Sequence, residues 1–266
     1  MSDARVAETF TRLVEIMARL RGPGGCPWDR EQTPETLRPY LLEEAYEVLD
    51  ALDAGDAAAV RDELGDLLLQ VVFHAQLAAE AGRFTVADVA QAIADKLVRR
   101  HPHVFGDVRV ADADEVMRNW RRIKAEERRT KGEDRDLFAG VPAALPAVLR
   151  AQQLGEKAAQ VGLDWPDVRG VVAKVREETD ELEAAIREND RAAAERELGD
   201  LLLAVVSVAR HLDVSAEMAL RGANERFAVR ARRVEAAARA RGASLDALDA
   251  DEIDRLWATA KAESSS

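Results

Sequence analysis

Cysteine, aromatic residues and long apolar runs are all scarce in this sequence. A single cysteine, Cys26, rules out an internal disulfide and fits a reducing cytosol, so we expect a cytoplasmic protein. No apolar run reaches the roughly 18 residues of a membrane span, and the polar N-terminus shows no signal peptide. Basic residues are outnumbered, 38 against 50 acidic ones, and the net charge of −12 argues against duplex nucleic acid as a partner. It leaves a phosphorylated substrate open, because a bound cation inverts the local field.

Helix-forming residues are what the chain has in excess. Ala, Leu, Glu and Arg dominate, β-branched runs are few, and 47% of the residues are hydrophobic, enough for a core. The pattern predicts an all-α fold. The predicted helices lie at about 4–20, 35–54, 57–81, 86–100, 113–130, 146–161, 170–188, 191–212, 215–241 and 251–263.

An acidic segment occurs twice, first from Glu43 to Val72 and again from Glu177 to Val206. The copies align without a gap at an offset of 134 residues, and 16 of 30 positions are identical. The identities fall on carboxylates, on one glycine and on the apolar run that follows it. The duplication predicts an N-terminal unit at 1–131, a linker at 132–146 and a C-terminal unit at 147–266.

The carboxylates of each copy are spaced to meet. Glu44 and Glu47 share one helix face, and Glu63 and Asp66 share a face of the next helix. The short connection at Gly55 predicts an antiparallel hairpin, which brings the four acids together. The predicted metal ligands are Glu44, Glu47, Glu63 and Asp66 in the first copy and Glu178, Glu181, Glu197 and Asp200 in the second. A ligand set made only of oxygens favours Mg²⁺, with Mn²⁺ as a substitute.

Two other interpretations of these acids are weaker. Acid pairs at helical spacing usually belong to a solvated face, but these lie beside apolar stripes and lack regular Lys or Arg partners four residues on. Di-iron carboxylate bundles use Glu-x-x-His pairs, and neither His74 nor His211 is placed in that way.

A basic helix and a tryptophan helix follow each copy. Residues 93–100 match 223–230, which sets Lys96 and Arg100 against Arg226 and Arg230. The tryptophan helices contain WRRIKAE from Trp120 and WATAKAE from Trp257. A cation site, two basic side chains and an aromatic ring suit a nucleoside triphosphate. Each part alone is ordinary, since an Arg pair is usually solvated and a lone Trp usually belongs to the core.

The E-E-x-x-E and E-x-x-D spacing, CPWDREQT at 26–33, VGLDWP at 161–166 and the tandem layout resemble the MazG family. These are nucleoside triphosphate pyrophosphohydrolases of the all-α NTP pyrophosphatase superfamily, and the resemblance covers essentially the whole chain. It implies a tandem repeat of MazG-like helical units, forming four-helix bundles that are completed by homodimerisation. It also implies Mg²⁺-dependent hydrolysis at the α–β phosphoanhydride, with broad base tolerance and a role in nucleotide-pool cleaning or the starvation response.

The resemblance implies that the C-terminal unit is the main catalytic one and assigns its residues. Lys174 and Glu177 match nucleotide-contacting positions, and their chemistry predicts catalytic roles, Glu177 as general base and Lys174 in stabilising charge on the leaving group. The metal ligands are those of the second copy, and the implied substrate contacts are Lys174, Glu177, Glu178, Arg196, Asp200, Arg226, Arg230 and Trp257. Tyr40 stands at the position of Lys174 in the first copy, which fits this assignment, although the first copy keeps its own acids. Arg196 departs from the family pattern, because relatives often carry an acid there.

Two alternative functions stay open at this point. One is a hydrolase of narrower range, similar to a dUTPase or dCTPase. The other is a helical interaction module that binds metal without catalysis, and it predicts no turnover of any triphosphate. A pyrophosphate-release assay over all common NTPs and dNTPs separates these alternatives from a broad enzyme.

Overall fold

The computed structural model describes residues 3–130 and 136–263, and all the regular secondary structure in those ranges is helical. Within those ranges there is no β-strand, so the predicted all-α fold is confirmed. No helix there has both the length and the apolar character that a membrane crossing requires. The helices are α1 (Asp3–Arg21), α2 (Pro27–Glu31), α3 (Arg38–Ala54), α4 (Ala57–Glu80), α5 (Val86–Arg100), α6 (Pro102–Phe105), α7 (Ala113–Thr130), α8 (Ala147–Gln160), α9 (Val168–Arg187), α10 (Arg191–His211), α11 (Ala216–Ala240) and α12 (Ala250–Glu263).

The ten predicted helices are all present, and three short elements were not predicted. Two of them, α2 and α6, begin at Pro27 and Pro102, which lie between the predicted helices. Proline fits the first turn of a helix, because its missing N–H would have no partner there. The third is a 3₁₀ helix at Leu245–Ala247. The segments between the predicted helices therefore contain short helical turns.

The third helix begins later than the predicted position 35. Residues 34–37 form a turn instead. The backbone N–H of Thr33 donates to Oγ1 of Thr36 at 2.9 Å, and the N–H of Thr36 donates to Oγ1 of Thr33 at 3.3 Å. Hydroxyl groups that bond nearby backbone compete with helix formation, which delays the start of α3 to Arg38.

The chain divides into two compact units, unit 1 at residues 1–127 and unit 2 at residues 128–266. The predicted linker at 132–146 stays a prediction, since residues 132–135 lie outside the described ranges. Its later part belongs to unit 2, where Lys157 of α8 donates to the carbonyl of Ala139 at 2.8 Å.

Each repeat folds as an antiparallel hairpin, α3 with α4 and α9 with α10. The two turns have the same left-handed backbone conformation at different residues. Gly55 and Asn189 occupy the left-handed region, with φ of 70° and 54°, and these are the residue types that adopt it most easily. The aspartate that follows caps the next helix, as Asp56 accepts from the N–H of Ala58 at 2.8 Å and Asp190 from that of Ala193 at 3.0 Å.

Each unit has its own hydrophobic core. In unit 1, α1 and α4 enclose a cluster formed by Met17, Leu37, Val72, Phe73 and Leu77. In unit 2, α11 and α12 enclose a cluster formed by Val234, Ala238, Leu256 and Ala260. The helix α8 packs on α10 and α11. These packings hold the acidic hairpin within each unit.

Candidate metal centre and adjoining cavity

Three carboxylates converge at the same repeat positions in both units. One comes from the first helix of each hairpin and two from the second helix. The groups are Glu44, Glu63 and Asp66 in unit 1, and Glu178, Glu197 and Asp200 in unit 2. Within each group, one carboxylate oxygen from every residue lies within 4.8 Å of the others. The hairpin geometry thus places three of the four predicted ligands of each copy within reach of one cation.

The fourth acid of each copy lies beside its group without belonging to it. Desolvation first and the carboxylate of Glu178 second hold the pKa of Glu181 above its ordinary value. In unit 1, desolvation and then the charge of Glu47 raise the pKa of Glu63. Glu47 and Glu181 therefore contribute charge to their clusters, and their role as direct ligands stays a prediction.

The acids of the unit 1 cluster lie close enough to repel one another. Desolvation raises the pKa of Glu44, and the neighbouring charges of Asp66, Glu47 and Glu63 raise it further. Like charges in a shared site disfavour ionisation of one another. A divalent cation bound between these groups would offset the repulsion, so the arrangement favours cation binding.

Glu178 gives the most direct indication of a cation site in unit 2. The residue is only 4% exposed, and its buried Oε2 has no hydrogen-bond partner among the described residues. An unsatisfied buried carboxylate oxygen is costly. Oxygens that ligate one Mg²⁺ lie up to about 4.2 Å apart, so small side-chain rotations would bring the group of unit 2 to that spacing. The donor set fits a hard divalent cation.

Lys174 lies at the edge of the same cluster. Its Nζ donates to Oε1 of Glu177 at 2.8 Å and forms a close ion pair with Oε1 of Glu178. These two partners raise the pKa of Lys174, so it stays a cation. Lys174 lies three residues before Glu177 and four before Glu178 on α9, a spacing at which helical side chains meet. In unit 1 the rings of the corresponding Tyr40 and of Trp28 form a T-shaped pair, with centroids 5.9 Å apart.

A cavity of about 570 Å³ opens beside the unit 2 carboxylates, between α8, α9 and α10. The sequence analysis did not predict it. The lining residues are Phe138, Leu154, Gly155, Ala158, Leu163, Asp164, Trp165, Lys174, Glu178, Asp200, Leu203, Ala204, Ser207 and Arg210. Three of them, Lys174, Glu178 and Asp200, were predicted site residues. The VGLDWP motif supplies three more, Leu163, Asp164 and Trp165, so it was the signal in the sequence for part of the lining.

The other predicted substrate contacts lie away from this cavity lining. Arg226 and Arg230 are on α11, and Trp257 is on α12. Trp257 is half-buried against the core of unit 2, where its ring meets that of Phe227 at 5.3 Å between centroids. Arg196 is exposed on α10. A single chain therefore brings only some of the predicted substrate-binding residues to the cavity.

One wall of the cavity is held by an ion pair between Asp164 and Arg210. The guanidinium donates to both carboxylate oxygens at 2.8 and 2.5 Å, and Nε2 of His211 lies 3.2 Å from Oδ1 of Asp164. Hydrogen bonds from Arg210 lower the pKa of Asp164 to about 2. The pair fastens the segment that carries Leu163 and Trp165 to α10.

We expect Asp164→Asn to lower the free energy of unfolding by about 2 kcal/mol at pH 7, from the depressed pKa of Asp164. The folded-state pKa lies below the unfolded one, so this contribution is present above pH about 4 and is lost as the pH falls towards 2. Urea denaturation at pH 7 and pH 3 measures it. Asp180→Asn, a change of an exposed acid on α9, serves as control. Equal stability of wild type and Asp164→Asn at pH 7 would contradict the assignment.

Comparison with known protein families finds the same domain in both repeats. The family model described as the MazG nucleotide pyrophosphohydrolase domain matches residues 32–105 and 168–234, which contain all eight predicted metal ligands. The chain is 49% identical over 253 residues to a nucleoside triphosphate pyrophosphohydrolase of Escherichia coli (strain K12), covering 94% of this chain and 96% of that protein. It is 43% identical over 252 residues to a nucleoside triphosphate pyrophosphohydrolase/pyrophosphatase MazG of Thermotoga maritima, covering 95% of each. The chain belongs to the MazG nucleotide pyrophosphohydrolase family.

Proposed function

We propose that the protein hydrolyses nucleoside triphosphates at the α–β phosphoanhydride, giving a nucleoside monophosphate and pyrophosphate, and that unit 2 carries the reaction. The observation that carries the proposal is the buried, unsatisfied oxygen of Glu178 beside Asp200, Lys174 and a cavity of suitable size. Family membership and the names of the full-length relatives support the same activity. Nucleotide-pool cleaning or a starvation response, in the cytoplasm, is the proposed physiological role.

The carboxylate group of unit 2 is proposed to bind Mg²⁺, with Mn²⁺ as a substitute. Its ligands are Glu178, Glu197 and Asp200, completed by Glu181. When bound, Mg²⁺ neutralises phosphate oxygens and lowers the pKa of a water molecule. Unit 1 is proposed to hold the same cation through Glu44, Glu47, Glu63 and Asp66.

Two side chains next to the carboxylates are proposed as catalytic. Lys174, a cation at the boundary between the acids and the cavity, is placed to stabilise negative charge that builds on the phosphates. Glu177 lies outside the converging group and is largely exposed, so it is proposed to take the proton from the attacking water as general base. The contact between the two side chains orients both.

Three basic side chains are proposed as further phosphate contacts, although none lines the cavity. Arg226 and Arg230 lie four apart on α11, which puts both on one helix face. The buried Nε of Arg230 has no hydrogen-bond partner in the described part of the chain, which leaves a donor for an anion. Arg196 lies on α10 directly before Glu197. A second copy of the chain is proposed to bring Arg230 and Trp257 to a metal site.

A pyrophosphate-release assay over all common NTPs and dNTPs tests the proposed function. Release from most of them supports a broad enzyme. Release from dUTP or dCTP alone would assign the narrower alternative, and no release from any triphosphate would assign the metal-binding interaction module.

A homodimer is the proposed assembly, because both hairpins expose the same apolar stripe. On α10 the stripe consists of Leu198, Leu202 and Val205, of which Leu202 is 57% exposed. The corresponding α4 residues, Leu64, Leu68 and Val71, are exposed as well. Contiguous exposed apolar side chains at helical spacing usually mark a surface that another chain covers. Isologous dimers are the commonest assemblies of soluble proteins.

We therefore expect Leu202→Glu to weaken the dimer, because burying the new carboxylate in an apolar interface costs several kcal/mol. Light scattering coupled to size-exclusion chromatography is expected to give twice the chain mass for the wild type and a shift towards the monomer for the variant. Val6→Glu is the control, since Val6 is equally exposed on α1 and lies outside the repeat. A monomeric wild-type protein would refute the proposed assembly.

A further inference from the structure

The two basic helices, α5 of unit 1 and α11 of unit 2, carry an arginine at the same repeat position but in different surroundings. Arg230 of α11 has a buried Nε without a hydrogen-bond partner in the part of the chain that the structure describes. Arg100, its counterpart on α5, forms an ion pair with Glu127 of α7. The arginine that is proposed to contact phosphate in unit 2 is therefore already occupied in unit 1.

Glu127 is bound by two guanidinium groups at once. Nη2 and Nε of Arg100 donate to its Oε2 at 2.5 and 3.2 Å, and Nε of Arg99 donates to its Oε1 at 2.7 Å. The side chains of Arg100 and Glu127 are only 15% and 16% exposed, so solvent screens this pair little. Arginines bind a phosphate group through the same kind of paired, charge-assisted hydrogen bonds.

The carboxylate of Glu127 stays ionised at every physiological pH. Hydrogen bonds from Arg100 first, and from Arg99 in addition, lower its pKa to about 2. A permanently charged carboxylate beside two guanidinium groups carries the charge sign that a phosphate would bring to the same place.

The tryptophan of unit 1 contributes to the same cluster. The guanidinium of Arg100 lies 5.2 Å from the ring centroid of Trp120, and Nζ of Lys124 lies 5.0 Å from it. Cation–π contacts of this length stabilise the position of the cation. In unit 2 the corresponding Trp257 meets the ring of Phe227 instead. The basic helix and the tryptophan helix of unit 1 are thus joined by their own charged side chains.

The pair in unit 1 depends on two residues that the repeat in unit 2 lacks. Aligning the tryptophan helices sets Glu127 against Ser264, a residue outside the described ranges. Aligning the basic helices sets Arg99 against Val229. The acid and the second arginine that binds it therefore occur together in one repeat, whereas both are replaced in the other.

We propose that Glu127 takes the place of a phosphate group in unit 1 and thereby determines which of the two units binds a triphosphate. This inference rests on the proposed function, because it takes Arg230 as a phosphate contact. A carboxylate of the same chain competes with free ligand at a high effective concentration. A triphosphate would have to displace it before it could contact Arg99 or Arg100. Unit 1 thus keeps its acids, but its arginines are not available to phosphate.

The test measures the Kd of pyrophosphate, with Mg²⁺ present, by isothermal titration calorimetry on the full chain. Lys174→Ala and Arg230→Ala first weaken binding to unit 2. Glu127→Ser, which gives unit 1 the residue found at this repeat position in unit 2, is then added. We expect Kd to fall at least about tenfold, because two guanidinium groups become available for charge-assisted hydrogen bonds. A purely structural role of Glu127 would loosen α7 without creating an anion site.

Glu127→Gln is the second variant, and it covers the case in which the shorter serine destabilises α7. It keeps the size of the side chain and removes its charge, so we expect Kd to fall severalfold here as well. Arg100→Ala, added to Glu127→Ser, should abolish the gain, because it removes the arginine that the glutamate had occupied.

Asp114→Ser is the control for charge, since it removes one negative charge from an exposed position on the same helix. Asp114 lies roughly 20 Å along α7 from Glu127, beyond the screening length, so Kd should stay within about twofold. Unchanged Kd in both Glu127 variants, or a gain that survives Arg100→Ala, would overturn the proposal. Failure of the wild type to release pyrophosphate from any triphosphate would refute the proposed function instead, and the Kd values would still report on unit 1.

Discussion

Glu178→Ala and Asp200→Ala are each expected to lower kcat for pyrophosphate release by at least about a hundredfold, more than the loss typical of outer-shell changes at a metal site. Glu178 is the most buried acid of its cluster, and its unsatisfied oxygen is the atom best placed for a cation. Removing either carboxylate leaves the others repelling one another around a loosely held ion. The protein should still fold, because neither side chain belongs to a core cluster.

The corresponding changes in unit 1 should have a much smaller effect. Glu44→Ala and Asp66→Ala remove acids from an equivalent group, but Tyr40 stands there in place of Lys174, the residue proposed as catalytic. We expect less than about a tenfold loss, from reduced stability of unit 1 rather than from lost chemistry. Steady-state kinetics with ATP and Mg²⁺ measures all four variants.

Glu195→Ala is the matched control for the unit 2 variants, because Glu195 is an exposed acid on the same helix as Glu197 and Asp200. It should retain wild-type kcat. If the unit 1 variants lose more activity than the unit 2 variants, the catalytic unit has been assigned wrongly.

Removal of divalent cations is expected to abolish turnover, and restoring Mg²⁺ or Mn²⁺ should recover it. Desolvation first, and then the charges of neighbouring carboxylates, raise the pKa of Glu44, Glu63 and Glu181, and a bound cation would offset this repulsion. A cation that binds the folded state and not the unfolded one stabilises by RT ln(1 + [L]/Kd), about 2.7 kcal/mol at a hundredfold excess over Kd. Mg²⁺ should therefore also raise the melting temperature.

Thermal unfolding with and without Mg²⁺ gives a readout that does not depend on catalysis. The double variant Glu44→Ala, Glu178→Ala should lose most of the Mg²⁺-dependent rise in melting temperature, since it disrupts both groups. Glu195→Ala should keep the whole rise. Pyrophosphate release that continues in excess EDTA would contradict the requirement for a cation.

The sequence by itself determined the helices, the duplication and the acidic hairpins, because these are local properties. Helical periodicity fixes which residues share a face, so Glu63 and Asp66 were predictable neighbours. A short turn forces the two helices that it joins to pack antiparallel. The turns at Gly55 and Asn189 join α3 to α4 and α9 to α10 in this way. The starts of short helices such as α2 were missed, since a proline can open a helix as well as end one.

Only the tertiary structure decided which distant side chains meet. Asp164 and Arg210 are 46 residues apart, and no periodicity relates them. The cavity depends on the packing of α8, α9 and α10 around small residues, Gly155, Ala204 and Ser207, whose spacing in the sequence carries no signal of empty space. The same packing placed Trp165 beside the carboxylates and Trp257 against Phe227, because the position of an aromatic ring depends on which helix surfaces cover it.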